Sequence, residues 1–376
     1  MSNKEKAITA IIAIVVIIAV AIGLSSNNKS NTNKNKTTQT TYKKYSGTIT
    51  GAGSTFAAPL YNQLGSEYKK QTGTTINYQS VGSGAGIAQF IANTVNYGAT
   101  DVALKDSEIA QAKANGAPLN IPVTFGAVTV SYNVPGVKAG LKLDGSTIAD
   151  IYMGTITNWN DPAITKLNPG VKLPNLQITP VHRSDGSGTT ALFTQFLSAV
   201  SPQWSQQIGS DKTVKWPVGT GSNGNQGVAA TTSQTTGAIG YVELAYALQN
   251  NFTTAAIKDK AGQYVTPSLD TTSKAGNNLP NLPSDLRFSA INSPSQGAYP
   301  IASATFIVVY QDTCKAHEVA NSDQAQALSG WLNYILGPGQ QSMKKLEYAP
   351  LAPTLLTKAQ AMVAGMTCNG KTIAAK

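Results

Sequence analysis

Histidine and cysteine are scarce in this chain, with two of each among 376 residues. His182 stands apart and His317 sits in a polar run beside Glu318, so no His/Cys cluster has the four-ligand spacing of a zinc site, and no metal is expected. The same scarcity undercuts a histidine-activated nucleophile. None of the serines in glycine turns fits G-x-S-x-G: Val81 stands two residues before Ser83 and Asp185 two before Ser187. Charge is short as well, at 12% of residues, which leaves a surface of hydroxyls and amides. The formal net charge of +10 gathers near the start, where residues 1–45 hold seven lysines against Glu5. The body that follows is only modestly basic, which argues against a nucleic-acid protein and agrees with a binder of small anions.

Long apolar runs are missing but for one, Ala7 to Leu24, preceded by Lys4 and Lys6. As a helix this run would span about 27 Å, close to the ~30 Å of a hydrocarbon core. A cleaved secretory signal shares these features. No small-x-small cleavage site follows, however, and no cysteine lies near to carry a lipid, so the run reads as an anchor (residues 1–24 with their cytoplasmic stub). The lysines after it outnumber those before it, against the positive-inside rule. Two features nevertheless place the body outside. Ser25 to Thr41 is a Ser/Asn/Thr/Lys tether without apolar residues (the tether is drawn as 25–45), and it suits a domain held off a membrane. Cys314 and Cys368, if paired, would add about 4 kcal/mol by the chain-entropy model and would suit an oxidising compartment; the alternative is two unrelated buried thiols. Asn28, Asn35 and Asn251 each begin an N-x-S/T sequence.

The body alternates strands and helices. Ile49 to Gly53 reads as a strand turning at Ser54-Thr55-Phe56 into a helix that Gly73 ends. Thr74 to Ser80 reads as a strand, Val81-Gly82-Ser83-Gly84-Ala85-Gly86 as the turn into a helix over Ile87 to Asn93, and Tyr97 to Val102 as a strand end that delivers Asp101. A fourth such junction is Arg183-Ser184-Asp185-Gly186-Ser187-Gly188-Thr189, between Leu176–Pro180 and an amphipathic Ala191–Val200. This is an open α/β pattern, whose ligands bind at the carboxyl ends of the strands. At a helix start the unpaired N–H groups and the positive dipole end favour anions, glycines let a ligand approach, and arginine adds a fork that fits oxyanions. On its own, the arginine run reads equally well as a capped helix beside an Arg–Asp pair.

Two long β-rich runs, Val123–Tyr132 and Tyr299–Tyr310, predict crossings between two lobes. Lobe I is then residues 46–126 plus 303–376, with helices over 331–336 and 340–348, and lobe II is residues 127–302. Asp270 to Gln296, rich in Pro, Asn and Ser, reads as loop. Two pattern matches fail on context. Gly365 to Thr372 satisfies G-x-x-x-x-G-K-T, but no helix can follow it so close to Lys376. Gly219 to Gly224 satisfies G-x-G-x-x-G mid-domain, away from any first βα unit, and reads as a loop at a lobe edge.

Several of these runs, in this order, resemble the phosphate-specific substrate-binding proteins of ABC transporters, members of the two-lobed periplasmic-binding-protein class. The likeness rests on Gly51–Phe56, Val81–Gly86, Gly98–Asp101, Asp150–Gly154, Trp159–Asp161, Arg183–Thr189, Val214–Gly219 and Gly237–Glu243. It implies an α/β, type II two-lobed fold with two crossover hinge strands, here behind an N-terminal transmembrane helix. It implies phosphate held by Thr55, Phe56, Ser83 and Asp101 of one lobe and Arg183, Ser187, Gly188 and Thr189 of the other, supported by Ser54 and by Asp185 paired with Arg183. The implied partners are two permease subunits and an ATPase pair, with no cofactor, no catalysis and a monomeric chain. Another tetrahedral oxyanion (sulfate, molybdate or arsenate) is the alternative ligand, and a secreted phosphatase-type enzyme the alternative class. The lipid-bearing cysteine common in that family is absent here, and His182 replaces a second basic residue beside the cleft.

Overall fold

The computed structural model describes residues 44–45, 47–277, 279, 281–316 and 322–373. The expected anchor, nearly all of the tether, Asn28, Asn35 and His317 lie outside these residues. Among the described residues no helix is long and apolar enough to cross a membrane.

A nine-stranded sheet organises the chain. Strands β1 (Thr48–Gly53), β2 (Thr75–Ser80) and β3 (Tyr97–Thr100) run parallel, joined by helices α1 (Ala58–Thr72) and α2 (Ser83–Ile91). Helix α3 (Asp106–Ala112) then leads to β4 (Pro118–Tyr132). A second set follows: β5 (Thr179–Arg183), α4 (Gly188–Val200), β6 (Thr220–Ser222), α5 (Gly224–Gln234), β7 (Ala238–Glu243), α6 (Leu244–Gln249) and β8 (Thr253–Thr254). Helix α7 (Leu269–Asn277), β9 (Ala302–Tyr310), α8 (Ser322–Ile335) and α9 (Pro353–Ala364) complete the main elements. The strand order is β2-β1-β3-β9-β4-β7-β5-β6, with β8 also on β4.

β4 is the shared member. Its residues Pro118 to Ala127 pair antiparallel with β9, and Val128 to Tyr132 continue onto β7. Every residue from Asn120 to Tyr132 is buried, which explains the near-continuous apolar run in place of an alternating one. The β4–β9 register slips by one residue between Thr305 and Phe306, opposite Pro122, which has no N–H to give the ladder. That irregularity sits beside the end of β3 and places the Thr305 side chain against Asp101. In the first half α1 packs Tyr68 on Trp331 of α8, while in the second Tyr152 meets Phe193 of α4 edge-on.

Gly73 ends α1 in the left-handed region at φ 81°, its N–H donating to the Lys69 carbonyl. Other expectations shift. The strand near residue 176 begins at Thr179, so His182 and Arg183 belong to the strand and the turn proper is Ser184 to Ser187. Helix α2 starts at Ser83, four residues before the apolar periodicity that announces it. The helix expected over 331–336 begins at Ser322, and 340–348 holds only Pro338–Ser342 and a single 3-10 turn, Lys344–Leu346. Part of the expected loop 270–296 is helix α7. Ser268 accepts the Thr271 N–H at its start, and Thr272, Ala275 and Gly276 are buried, Gly276 against the Phe125 ring. Tertiary packing holds that helix against poor helix-forming composition.

Cys314 and Cys368 are joined, with 4.7 Å between their Cα atoms. The bond ties the segment beyond β9 to a hairpin, Thr367–Cys368 on Lys371–Thr372, turned by Asn369 and Gly370 at φ 51° and 76°. A two-residue Asn-Gly turn of this kind is a type I′ hairpin. It accounts for the G-x-x-x-x-G-K-T match without a phosphate loop.

Candidate functional site

Five junctions, each following a strand, meet where β4 passes between the two halves. Ser54, Thr55 and Phe56 follow β1, Ser83 begins α2, and Asp101 follows β3. Arg183 ends β5 and Ser187 caps α4, while Asn225 sits in the first turn of α5 beyond β6. All of these are buried: Ser54, Phe56, Ser187, Thr189 and Asn225 are fully enclosed, and Arg183 keeps 4% of its surface.

Asp101 is held on the first half by hydroxyls. Ser54 Oγ donates to its Oδ1 at 2.5 Å, Thr305 Oγ1 donates to the same oxygen at 3.0 Å, and Ser83 Oγ lies 3.4 Å from Oδ2. Burial lifts the carboxyl to about 6, against those hydroxyls and the Arg183 charge, which favour the ionised form. The second half supplies the arginine. Its Nε donates to Asp185 Oδ1 at 2.7 Å and its Nη2 to Asp185 Oδ2, so the fork is clamped edge-on, while Nη1 lies 3.4 Å from Thr189 Oγ1. Burial pushes the Asp185 carboxyl up, but the bonds and charge of Arg183 and the Gly224 N–H outweigh it and hold it below the ordinary range. The pair brings little net charge to the site.

Helix starts provide the remaining donors. Ser187 Oγ caps α4 by accepting the Thr190 N–H at 3.0 Å, which leaves its own proton to donate. Helix α1 has no side-chain cap, and neither does α2, so N–H groups at their starts, apart from that of Gly84, are left for another acceptor. The halves also touch directly. The Gly84 N–H donates to the Gly186 carbonyl at 2.8 Å, and a β-carbon on Gly188 would overlap Asp101 and Ser83. Thr55, Phe56, Ser83, Asp101, Arg183, Ser187, Gly188 and Thr189 thus come together in one buried cluster, with Ser54 hydrogen-bonded to Asp101 and Asp185 to Arg183. Such a constellation suits a small oxyanion gripped by neutral donors, with one carboxylate present to accept a proton.

The PBP superfamily domain matches residues 31–338 of the chain. The phosphate-binding protein PstS of Xylella fastidiosa strain Temecula1 is 40% identical over 315 residues, covering 83% of this chain and 84% of that protein. The chain belongs to the PstS family of the PBP superfamily. A further member, the phosphate-binding protein PstS of Pasteurella multocida, is 41% identical over 317 residues, 84% of this chain and 89% of its own. In fold the chain is similar to the phosphate-binding protein of Stenotrophomonas maltophilia, with a TM-score of 0.63 at 19% identity, covering 84% of this chain and 93% of that one.

Asn225 follows the G-x-G-x-x-G match that reads as an edge loop. The structure turns that segment into edge strand β6 and the start of α5, aimed at the site. Asn225 Nδ2 donates to Thr55 Oγ1 at 2.9 Å and to Thr189 Oγ1 at 3.0 Å, linking the halves. A strand-like Thr220–Ser222 followed by Gly224-Asn225 was the available signal: a fifth strand-to-helix turn. Thr305 carried no signal, since it lies inside a β-rich run. His182 stacks on Trp216, 4.8 Å between ring centroids, and burial lowers its pKa, so it packs as a neutral ring beside the arginine strand.

Proposed function

We propose that this chain is the phosphate-binding component of an ABC phosphate importer, closing on inorganic phosphate between two lobes and handing it to the permease. The lobes are taken as 46–126 with 303–376 and as 127–302, with β4 and β9 as the crossings. Thr55 (hydroxyl and N–H), the Phe56 N–H, the Ser83 hydroxyl and Asp101 act from the first lobe, and Arg183, the Ser187 hydroxyl and the Gly188 and Thr189 donors from the second. The chain hydrolyses nothing; its partners are two permease subunits and an ATPase pair. The relatives named phosphate-binding protein PstS support this reading, and the Cys314–Cys368 bond supports an extracytoplasmic body. The run Ala7 to Leu24 serves as its anchor and the stretch to residue 45 as its tether.

The observation that carries the ligand is Asp101 facing a ring of donors. Near neutrality phosphate keeps at least one proton and sulfate keeps none. Asp101 accepts that proton's hydrogen bond, but it would meet a bare sulfate oxygen as one negative charge against another. Leaving buried charges so opposed costs several kcal/mol, enough to separate the two anions by orders of magnitude. Because ligand contacts come from both lobes, phosphate favours the closed state, which a permease can tell from the open one. Calorimetric titration of the full chain with phosphate, sulfate and arsenate tests the reading. One-to-one binding of phosphate and arsenate, with sulfate at least a thousandfold weaker, is expected. Tight sulfate binding would overturn the role given to Asp101, and no phosphate binding would overturn the function.

A further inference from the structure

We infer that Asn225 is a positioning residue that fixes the hydrogen-bond polarity of the site, turning Thr55 and Thr189 into obligate proton donors toward the bound anion. The inference rests on the reading of these two threonines as phosphate contacts. Its first step is the orientation of the amide. The Glu243 backbone N–H, which can only donate, reaches Asn225 Oδ1 at 2.9 Å, so the other amide atom is Nδ2 and the two threonines face N–H bonds.

The second step is hydroxyl arithmetic. A hydroxyl has one proton and two acceptor positions. Thr55 Oγ1 receives the Asn225 backbone N–H at 3.1 Å and Nδ2–H at 2.9 Å. Thr189 Oγ1 receives Nδ2–H at 3.0 Å and Arg183 Nη1–H at 3.4 Å. With both acceptor positions taken on each, neither threonine can accept from the ligand, and each proton is left to be given away. A P–OH directed at either threonine would lack an acceptor. The ligand's proton is therefore sent to Asp101, whose Oδ2 is met among the described residues only by the longer Ser83 contact of 3.4 Å. On this account Asp101 selects for a proton on the anion, and Asn225 settles where on the anion it sits.

Asn225→Asp tests this directly. It keeps an oxygen to accept the Glu243 N–H and replaces Nδ2 by an acceptor, which invites both threonine protons away from the ligand. Phosphate titrations of the full chain between about pH 5 and 8 are compared for the parent, Asn225→Ala and Asn225→Asp, each with its ligand-free thermal midpoint. Expected losses of affinity at pH 8 are about tenfold for Asn225→Ala and at least a hundredfold for Asn225→Asp. As pH falls the aspartate protonates, and its deficit relative to Asn225→Ala should close. In a Thr55→Val/Thr189→Val background, Asn225→Ala should cost less than twofold more. Parent-like binding in both single variants would overturn the inference, as would equal pH-independent losses or an undiminished cost in the double-valine background. If the parent itself takes up no phosphate, the proposed function fails first; if the parent binds and only these comparisons fail, the role of Asn225 alone is lost.

Discussion

Gly188 approaches Asp101 so closely that a β-carbon on it would overlap the Asp101 Oδ2 and the Ser83 hydroxyl. Glycine is required here by space, because residue 188 opens α4 on one half while Asp101 and Ser83 belong to the other. Gly188→Ala should therefore block closure without harming either half. Phosphate affinity should fall at least a hundredfold, the ligand-free melting temperature should move by less than about 2 °C, and the rise in melting temperature on adding phosphate should vanish. Calorimetry and thermal denaturation measure both, and retained tight binding would refute the steric assignment.

Asp101→Asn separates function from stability. The buried carboxyl titrates at about 6 in the folded chain and near 4 when unfolded. Between these values the folded chain holds a proton that the unfolded chain has released. Burying the carboxyl therefore costs nothing extra below about pH 4, and the cost grows as pH rises through 6. Removing the charge should stabilise the ligand-free chain by about 3 kcal/mol at pH 7 and hardly at all at pH 4. Urea midpoints at the two pH values check this. The same variant should lose at least tenfold of its preference for phosphate over sulfate. A variant less stable than the parent at pH 7, or one with undiminished preference, would contradict the role given to this group.

How much of this could be read from residues alone follows from where the information is local. The turns at Ser54, Ser83 and Arg183 are legible as turns because glycines and hydroxyls stand between an apolar run and a helical period, although the arginine run alone reads equally well as a capped helix start. The helix at Leu269–Asn277 is not, since Thr272 and Gly276 become helical only by packing on β4 and β9. Thr305 reaches Asp101 through a register shift opposite Pro122, a relation between residues far apart in sequence. Asn225 is hidden for another reason: its setting imitates a nucleotide motif, and the failure of that motif on context says nothing of the residue beside it.

The disulfide should act on stability and leave the site alone. Cys314 and Cys368 close a loop with a separation of 54 residues, for which the chain-entropy model gives about 4 kcal/mol. They lie beyond the end of β9, well past Thr305. The Cys314→Ser/Cys368→Ser double variant should therefore lose about that much unfolding free energy, while its phosphate affinity stays within twofold of the parent. Denaturant titration and calorimetry give the two numbers, and a tenfold change in affinity would show that the bond shapes the cleft.

Among the described residues three ion pairs join the halves, Arg287 to Asp106 and two that reach residues 211–212, and burial ranks the latter two. Lys212 Nζ lies 2.6 Å from Glu108 Oε1 with side chains 11% and 16% exposed, whereas Lys105 and Asp211, also at 2.6 Å, are 49% and 44% exposed. Exposed pairs contribute between nothing and about 1 kcal/mol, being screened by water and salt. The enclosed pair has a further tie to the ligand, since the Lys212 carbonyl accepts the Ser187 N–H at 2.9 Å. The pairs join Lys105 and Glu108, at the start of α3 on one half, to residues 211–212 on the other, so on the proposed closure they form and add to the free energy of binding. Lys212→Met should weaken phosphate binding roughly tenfold and Lys105→Met less than twofold. Glu108→Gln should cost about as much as Lys212→Met, and the two together little more than either alone. Raising sodium chloride should change the contribution of the enclosed pair little, so the loss caused by Lys212→Met should persist at high salt. A larger loss from Lys105→Met than from Lys212→Met would mean that the rim pairs do not act through burial.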